Sequence, residues 1–126
     1  MTRGILLFAH GARDPRWAEP FREICLRVRS LQPTVAVDLC FLELMTPSLQ
    51  QATTDLVVRG ITHLTVVPLF MAQGGHLRQD LPVLIDSLRA QYPQLTIHVT
   101  TALGDSPELL GAIAQWVGVI SAQSTT

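Results

Sequence analysis

Short apolar segments alternate four times with longer helical patterns along this chain. Two of the short segments, GILLFA and LTVVPLF, are continuously apolar, as expected for strands that are covered on both faces of a sheet. Alternation of this kind is typical of βαβ units around a parallel sheet. Strands are predicted at residues 4–9, 35–42, 64–70 and 95–101. Helices are predicted at residues 17–31, 48–59, 80–92 and 106–120.

The connections between these elements predict the strand order and the place of a binding site. Pro20 and Pro82 are tolerated in the first turn of a helix, so each is expected to lie close to a helix start. Right-handed crossovers favour the strand order 2-1-3-4, as in half of a flavodoxin-like sheet. We therefore expect a single three-layer α/β domain over residues 1–120 and a flexible tail over residues 121–126. Ligands of such sheets bind beyond the C-terminal ends of strands one and three.

Composition argues against several classes of protein. A chain of 126 residues is long enough for one core, and its 48% hydrophobic and 15% charged residues argue against disorder. A formal net charge of -1 supplies no basic stripe for nucleic acid, and no apolar run reaches transmembrane length. Cys25 and Cys40 fit neither a zinc site nor a disulfide framework. We expect a cytoplasmic protein that binds neither nucleic acid nor a membrane.

Three side chains are predicted to approach this crevice. His10 follows the first strand in FAHGARDP, and His76 follows the third strand in FMAQGGH. Neighbouring strands lie about 4.8 Å apart, so the loops that leave them can bring two imidazole rings together. Glu43 ends the second strand and could add a carboxylate. His63 and His98 are interpreted as surface or core residues, since one starts its strand and the other lies within the last strand.

Glycines and arginines border the same crevice. Gly74 and Gly75 permit a tight turn and offer backbone N–H groups to a ligand, and Gly11 is expected to act likewise. A turn without a binding role is the alternative interpretation. Three arginines in the adjacent loops are candidates for binding a substrate with several carboxylates: Arg13, Arg16 and Arg78. Their alternative role is a solvated loop or a surface ion pair, such as Arg78 with Asp80.

Three segments, LLFAHGARDPR, FLELMTPSL and VVPLFMAQGGHLRQDLP, carry most of these candidates. In their order, spacing and coverage of nearly the whole chain, they resemble the short sirohydrochlorin chelatases, the single-domain class II chelatases of the CbiX or SirB type. Ala12 and Gln73 depart from the serine and proline of many members, although neither departure removes a proposed ligand. The sequence also lacks the histidine-rich segment of some members and a ligand set for an iron–sulfur cluster.

The resemblance implies ATP-independent insertion of a divalent metal into sirohydrochlorin, in the biosynthesis of cobalamin or siroheme. The metal is most often cobalt, and in some members iron or nickel. His10 and His76 match the family's metal-binding and catalytic histidines, and Glu43 matches their acidic partner. The metal is then a substrate, and no tightly bound cofactor is expected. Since long relatives carry two such domains, the resemblance also suggests a homodimer of this chain.

The last helical pattern provides a second indication of a partner. The segment SPELLGAIAQWVGVIS contains one charged residue, Glu108, although a helix that covers a sheet should have a polar outer face. The outer face of this helix is therefore expected to pack against a second copy, with Trp116 as the anchor. Burial of Trp116 in the core of its own domain is the alternative.

Two other functions fit part of the pattern. A non-catalytic carrier of metal or tetrapyrrole would use the same ligands without turnover. A histidine phosphatase also has the pair HG after its first strand. Those enzymes place arginine immediately before the histidine, whereas here that residue is Ala9.

Overall fold

The computed structural model describes residues 1–124 and contains one parallel sheet. Its strands are β1 (Arg3–Ala9), β2 (Ala36–Phe41), β3 (His63–Pro68) and β4 (Thr96–Val99). The helices are α1 (Glu19–Leu31), α2 (Leu49–Val58), α3 (Gly75–Gln91) and α4 (Pro107–Ser124), with 3-10 turns at Pro15–Ala18 and Leu103–Asp105. The sheet order is β2-β1-β3-β4, which confirms the predicted order 2-1-3-4 and the α/β fold class.

Apolar clusters on both faces of the sheet hold the layers together. On one face of the sheet, Leu6 and Val66 pack with the buried side chains of α2 and α3. On the other face, Leu7 and Val37 pack with Cys25 of α1. The sheet and the helices on its two faces make three layers, and α4 belongs to none of the clusters, because residues 107–123 are all exposed.

Local signals in the sequence explain the starts of α1 and α2. Ser48 caps α2 through a hydrogen bond from the N–H of Gln51, whose side chain accepts a hydrogen bond from the N–H of Ser48. Pro20 lies in the first turn of α1, as predicted. Pro82 differs from the prediction, because α3 begins at Gly75 and encloses it. Pro82 and Arg78 are both exposed, so water can satisfy the carbonyl that the proline leaves without a partner.

The C-terminal region also differs from the prediction. Residues 121–124, expected to belong to a tail, continue helix α4, and residues 125–126 lie outside the described part of the chain. Within residues 1–124, no helix combines the length and the hydropathy that crossing a membrane requires.

Cys40 is expected to make the protein's stability depend on alkaline pH. Burial raises the pKa of the Cys40 thiol to about 12. The unfolded thiol ionises near pH 8.5, so above that pH the unfolded chain binds fewer protons than the folded chain. Stability is therefore complete below about pH 8.5 and falls as the pH rises toward the folded pKa. We expect the free energy of unfolding to drop by about 2 kcal/mol between pH 8 and pH 10.

Urea unfolding at a series of pH values measures this drop. The chain contains no lysine, so few other groups titrate in this interval. Cys40→Ala should remove most of the pH dependence. Cys25→Ala should keep the part that belongs to Cys40, because burial raises the pKa of Cys25 independently. An unchanged pH dependence in Cys40→Ala would contradict the assignment.

Candidate functional site

His10 and Glu43 form a bonded pair at the C-terminal rim of the sheet. His10 directly follows β1, and Glu43 lies two residues after β2. Their side chains meet through Nε2 of His10 and Oε1 of Glu43, which are 3.0 Å apart. The backbones are joined as well, since the N–H of Glu43 donates to the carbonyl of His10 at 3.1 Å. The pairing of β1 with β2 thus brings an imidazole and a carboxylate together across 33 residues of chain.

Glycine is required at position 11 for these two loops to meet. Gly11 has a φ of 98°, in the left-handed region that side chains rarely adopt. A Cβ atom at this position would collide with the carbonyl oxygen of Glu43. The absence of a side chain at Gly11 therefore permits the close approach that the His10–Glu43 pair needs.

Leu44 and Phe70 shape the pair, although the sequence reasoning did not identify either. Leu44 has a φ of 64°, uncommon for a residue other than glycine, and the turn closes with the N–H of Met45 donating to the carbonyl of Glu43 at 2.8 Å. Phe70 packs edge-on against the His10 ring, with ring centroids 6.2 Å apart. Leu44 carried no signal in the sequence. Phe70 could have been found as a large apolar residue two positions after the end of β3, the strand next to the one that His10 follows.

His76 lies on the same rim but outside the bonded pair. It occupies the first turn of α3 rather than a loop, and its side chain is exposed. Among residues 1–124, no group of three or more His, Cys, Asp and Glu side chains is close enough to hold a metal ion. The structure therefore brings His10 and Glu43 together without adding His76 as a third ligand.

The glycines before His76 are not required by the fold of the chain itself. Gly74 has a φ of -70°, which any residue adopts, and a Cβ at Gly74 or Gly75 would meet no atom within 4 Å. A tight turn therefore does not explain them. The ligand-binding role expected of Gly74 and Gly75 therefore stays a prediction.

The three arginines, Arg13, Arg16 and Arg78, differ in their ionic contacts. Arg16 forms an ion pair with Asp14 at 2.9 Å, and this contact lowers the pKa of the Asp14 carboxyl. Arg78 lies 3.9 Å from Asp105, not beside Asp80 as the alternative interpretation suggested. Arg13 is exposed and has no hydrogen-bonding or ionic partner among the described residues. Arg13 and Arg78 are thus freer than Arg16 to bind an anionic ligand.

The other two histidines lie away from this rim. His63 is the first residue of β3, at the opposite end of the strand, where its Nδ1 is 3.0 Å from Oγ1 of Thr62. His98 lies within β4 and is exposed. Both positions agree with their interpretation as residues outside the site.

The rim is open to solvent. The side chains of His10 and Glu43 are 52% and 55% exposed. Imidazole nitrogen and carboxylate oxygen are donors that suit divalent cobalt, nickel and iron. The pair can therefore contribute two ligands to a cation that arrives from solvent or with a larger molecule.

Comparison with known proteins identifies relatives that match most of the chain. The CbiX family model matches residues 4–118. A curated relative from Saccharolobus solfataricus, named sirohydrochlorin cobaltochelatase, is 33% identical over 79% of each chain. A relative of the same name from Priestia megaterium is 27% identical, and the match covers 86% of this chain but 35% of that longer protein.

Solved structures share the fold. A crystal structure from Marinobacter aquaeolei, described as a putative cobalamin biosynthesis CbiX protein, superposes with a TM-score of 0.82 at 34% identity, covering 96% of this chain and 98% of that one. The sirohydrochlorin chelatase SirB from Bacillus subtilis, solved in complex with cobalt, gives a TM-score of 0.74 at 26% identity. The match covers 95% of this chain but 51% of SirB. Because the family model and these relatives match most of its length, the chain belongs to the CbiX family.

Proposed function

We propose that this protein inserts a divalent metal into sirohydrochlorin without ATP, with cobalt as the first candidate for the metal. The observation that carries the proposal is the His10–Glu43 pair on the ligand-binding rim of a CbiX-family fold. Relatives of similar length bear the name sirohydrochlorin cobaltochelatase, and a SirB structure contains cobalt. Cobalamin and siroheme biosynthesis are the pathways that consume such a product.

The bonded pair suits a reaction in which a cation loses water and a macrocycle loses two N–H protons. A carboxylate oxygen only accepts hydrogen bonds, so Nε2 of His10 donates to Glu43, and in the neutral ring Nδ1 keeps its lone pair. That lone pair can bind the metal or accept a pyrrole proton. Glu43 orients the ring and stabilises it when it becomes protonated.

His76 is assigned as the second imidazole of the reaction. It stands in the first turn of α3, which follows the strand beside β1, and its exposed ring has no hydrogen-bonding or ionic partner among residues 1–124. Its proposed role is to take part in holding the metal or in accepting a proton once the macrocycle is bound. The open space around Gly74 and Gly75 leaves room for a flat ligand in front of it.

Arginines supply the charge that an acidic macrocycle needs. The acetate and propionate groups of sirohydrochlorin are carboxylates, which guanidinium groups bind through two parallel hydrogen bonds. Arg13 and Arg78 are the first candidates. Arg16 can bind a carboxylate of the macrocycle only when its ion pair with Asp14 breaks. Gly11 completes the proposed binding surface through its backbone.

A homodimer is part of the proposal. The paired side chains lie on an exposed rim, whereas metal insertion requires the cation to lose its water ligands. A second copy that faces this rim would form the other wall of a cleft. The cytoplasm is the proposed location, supported by two cysteines that are free and buried, as is usual where disulfides do not form.

The rate of metal insertion at catalytic protein concentration tests the proposed function. A small amount of protein is mixed with excess sirohydrochlorin and cobalt(II), and the visible absorbance change on metal entry is followed. We expect many product molecules per chain, at a rate above that of the same mixture without protein. A carrier would yield at most one product per binding site, and this result would overturn the enzymatic assignment.

A further inference from the structure

Two large apolar side chains are exposed at the C-terminal rim of the sheet. Leu44 is 59% exposed in the loop after β2, and Met71 is 55% exposed in the loop after β3. Among residues 1–124, the other exposed large apolar side chains belong to helices, apart from Met1, which precedes β1 at the opposite end of the sheet. Leu44 and Met71 therefore lie at the end where ligands of parallel sheets bind.

Each of the two follows a residue that contacts the His10 ring. Glu43 is bonded to Nε2 of His10 and directly precedes Leu44. Phe70 packs edge-on against the same ring and directly precedes Met71. Strand β1 lies between β2 and β3, which are therefore about 10 Å apart. The loops that carry the two exposed apolar residues thus lie on opposite sides of His10.

The backbone conformation of Leu44 is unfavourable for a leucine. Its φ of 64° lies in the left-handed region, which glycine and asparagine adopt far more readily. This conformation lowers the folding equilibrium constant by a factor of about 5–30 relative to the right-handed helical region. Burial offsets little of this cost, because more than half of the side chain is exposed. Strain of this kind clusters at binding and catalytic sites, so the leucine indicates a role outside folding.

The backbone of Met71 is held in place although its side chain is exposed. The N–H of Gly104 donates to the carbonyl of Phe70 at 3.0 Å, and a Cβ at Gly104 would collide with the carbonyl of Met71. The 3-10 turn at Leu103–Asp105 therefore rests directly on the loop after β3. A methionine side chain adapts to irregular apolar surfaces, because it is unbranched and has three rotatable bonds. Met71 thus combines a fixed position with an adaptable side chain.

We propose that Leu44 and Met71 form an apolar platform that binds one face of the sirohydrochlorin macrocycle on both sides of His10. The inference rests on the proposed function and names the residues that bind the ring system itself. Arg13 and Arg78 are placed to bind the carboxylates at the edge of the macrocycle. Its flat centre is largely apolar and gains from leaving water, a gain that guanidinium groups do not supply. A macrocycle on the platform would have its central nitrogens over the His10 ring.

Leu44→Asn separates the platform from the fold. Asparagine adopts the left-handed conformation readily, so the midpoint of urea unfolding should rise. Equilibrium dialysis with metal-free sirohydrochlorin should show binding weakened by about tenfold, since the apolar contact is lost. Met71→Gln should weaken binding by a similar factor. Leu44→Met keeps an apolar side chain and should keep most of the affinity.

The kinetics distinguish a binding role from a catalytic one. In the insertion assay, Leu44→Asn should raise KM for sirohydrochlorin by about tenfold and leave kcat near the wild-type value, as expected when uniform binding is lost. Binding of cobalt(II) without the macrocycle should be unchanged, because no proposed metal ligand is altered. Leu31→Asn is the matched control, since Leu31 is 77% exposed at the end of α1, away from the rim. Its affinity for the macrocycle should equal that of the wild type.

The outcomes separate the platform from the proposed reaction. Wild-type affinity for sirohydrochlorin in both Leu44→Asn and Met71→Gln would overturn the platform and leave metal insertion in place. A lower midpoint of urea unfolding in Leu44→Asn would assign the leucine to the fold and overturn its binding role. If both variants bind weakly but the wild type yields only one product per chain, the platform stands and the enzymatic function fails. A wild type that does not bind sirohydrochlorin would overturn both.

Discussion

His10→Ala is expected to lower the rate of cobalt insertion into sirohydrochlorin by at least about a hundredfold. The substitution removes the nitrogen that is proposed to bind the metal or accept a proton, and it leaves the Glu43 carboxylate without the partner that it contacts at 3.0 Å. The rate is measured from the visible absorbance change under multiple turnover. A parallel titration with cobalt(II) alone separates a loss of metal binding from a loss of proton transfer.

His63→Ala is the matched control for this experiment. His63 is an exposed histidine at the opposite end of the sheet, so its removal should leave the insertion rate unchanged. His76→Ala tests the second imidazole and is also expected to cost at least about a hundredfold. A His10→Ala protein that works at nearly the wild-type rate would refute the assignment of the bonded pair as the reaction centre.

The fold could be predicted from the sequence because its signals are local and repeated. GILLFA and LTVVPLF become β1 and β3, the two central strands of the sheet, and right-handed crossovers favour the order 2-1-3-4 that the sheet has. Pro20 marked the start of α1 correctly. Pro82 did not mark the start of α3, which begins at Gly75. An exposed helix surface tolerates a proline, because water can satisfy the carbonyl that loses its N–H partner.

The candidate site could be predicted only in part. The sequence placed His10, Glu43 and His76 on one rim, because each follows a parallel strand and such strands end on the same side. It could not specify which pair would bond, since this depends on the turn after β2. That turn contains the left-handed Leu44, a conformation without a sequence signature. For α4, the sequence predicted an outer face that packs against a partner and left burial of Trp116 in its own domain as the alternative. The structure decides between the two, because Trp116 is 64% exposed.

Gly11→Ala is expected to produce the second large effect. An added Cβ would meet the carbonyl oxygen of Glu43 on a backbone whose φ of 98° already disfavours side chains. The loops after β1 and β2 must then separate, which we expect to lower the free energy of unfolding by about 2–4 kcal/mol. Displacement of Glu43 from Nε2 of His10 should also reduce metal insertion, by about a hundredfold for a shift near 1 Å. Urea unfolding and the absorbance assay measure the two effects.

Gly60→Ala separates the collision from the backbone strain. Gly60 has a φ of 90°, close to that of Gly11, but a Cβ there would meet no atom within 4 Å. Its substitution should cost only the conformational strain, about 1–2 kcal/mol, and should leave the insertion rate unchanged. The additional loss of unfolding free energy in Gly11→Ala then measures the cost of separating the two loops that hold the His10–Glu43 pair. Equal stability losses in the two variants would mean that the loops part freely, and that Gly11 does not hold the carboxylate in place.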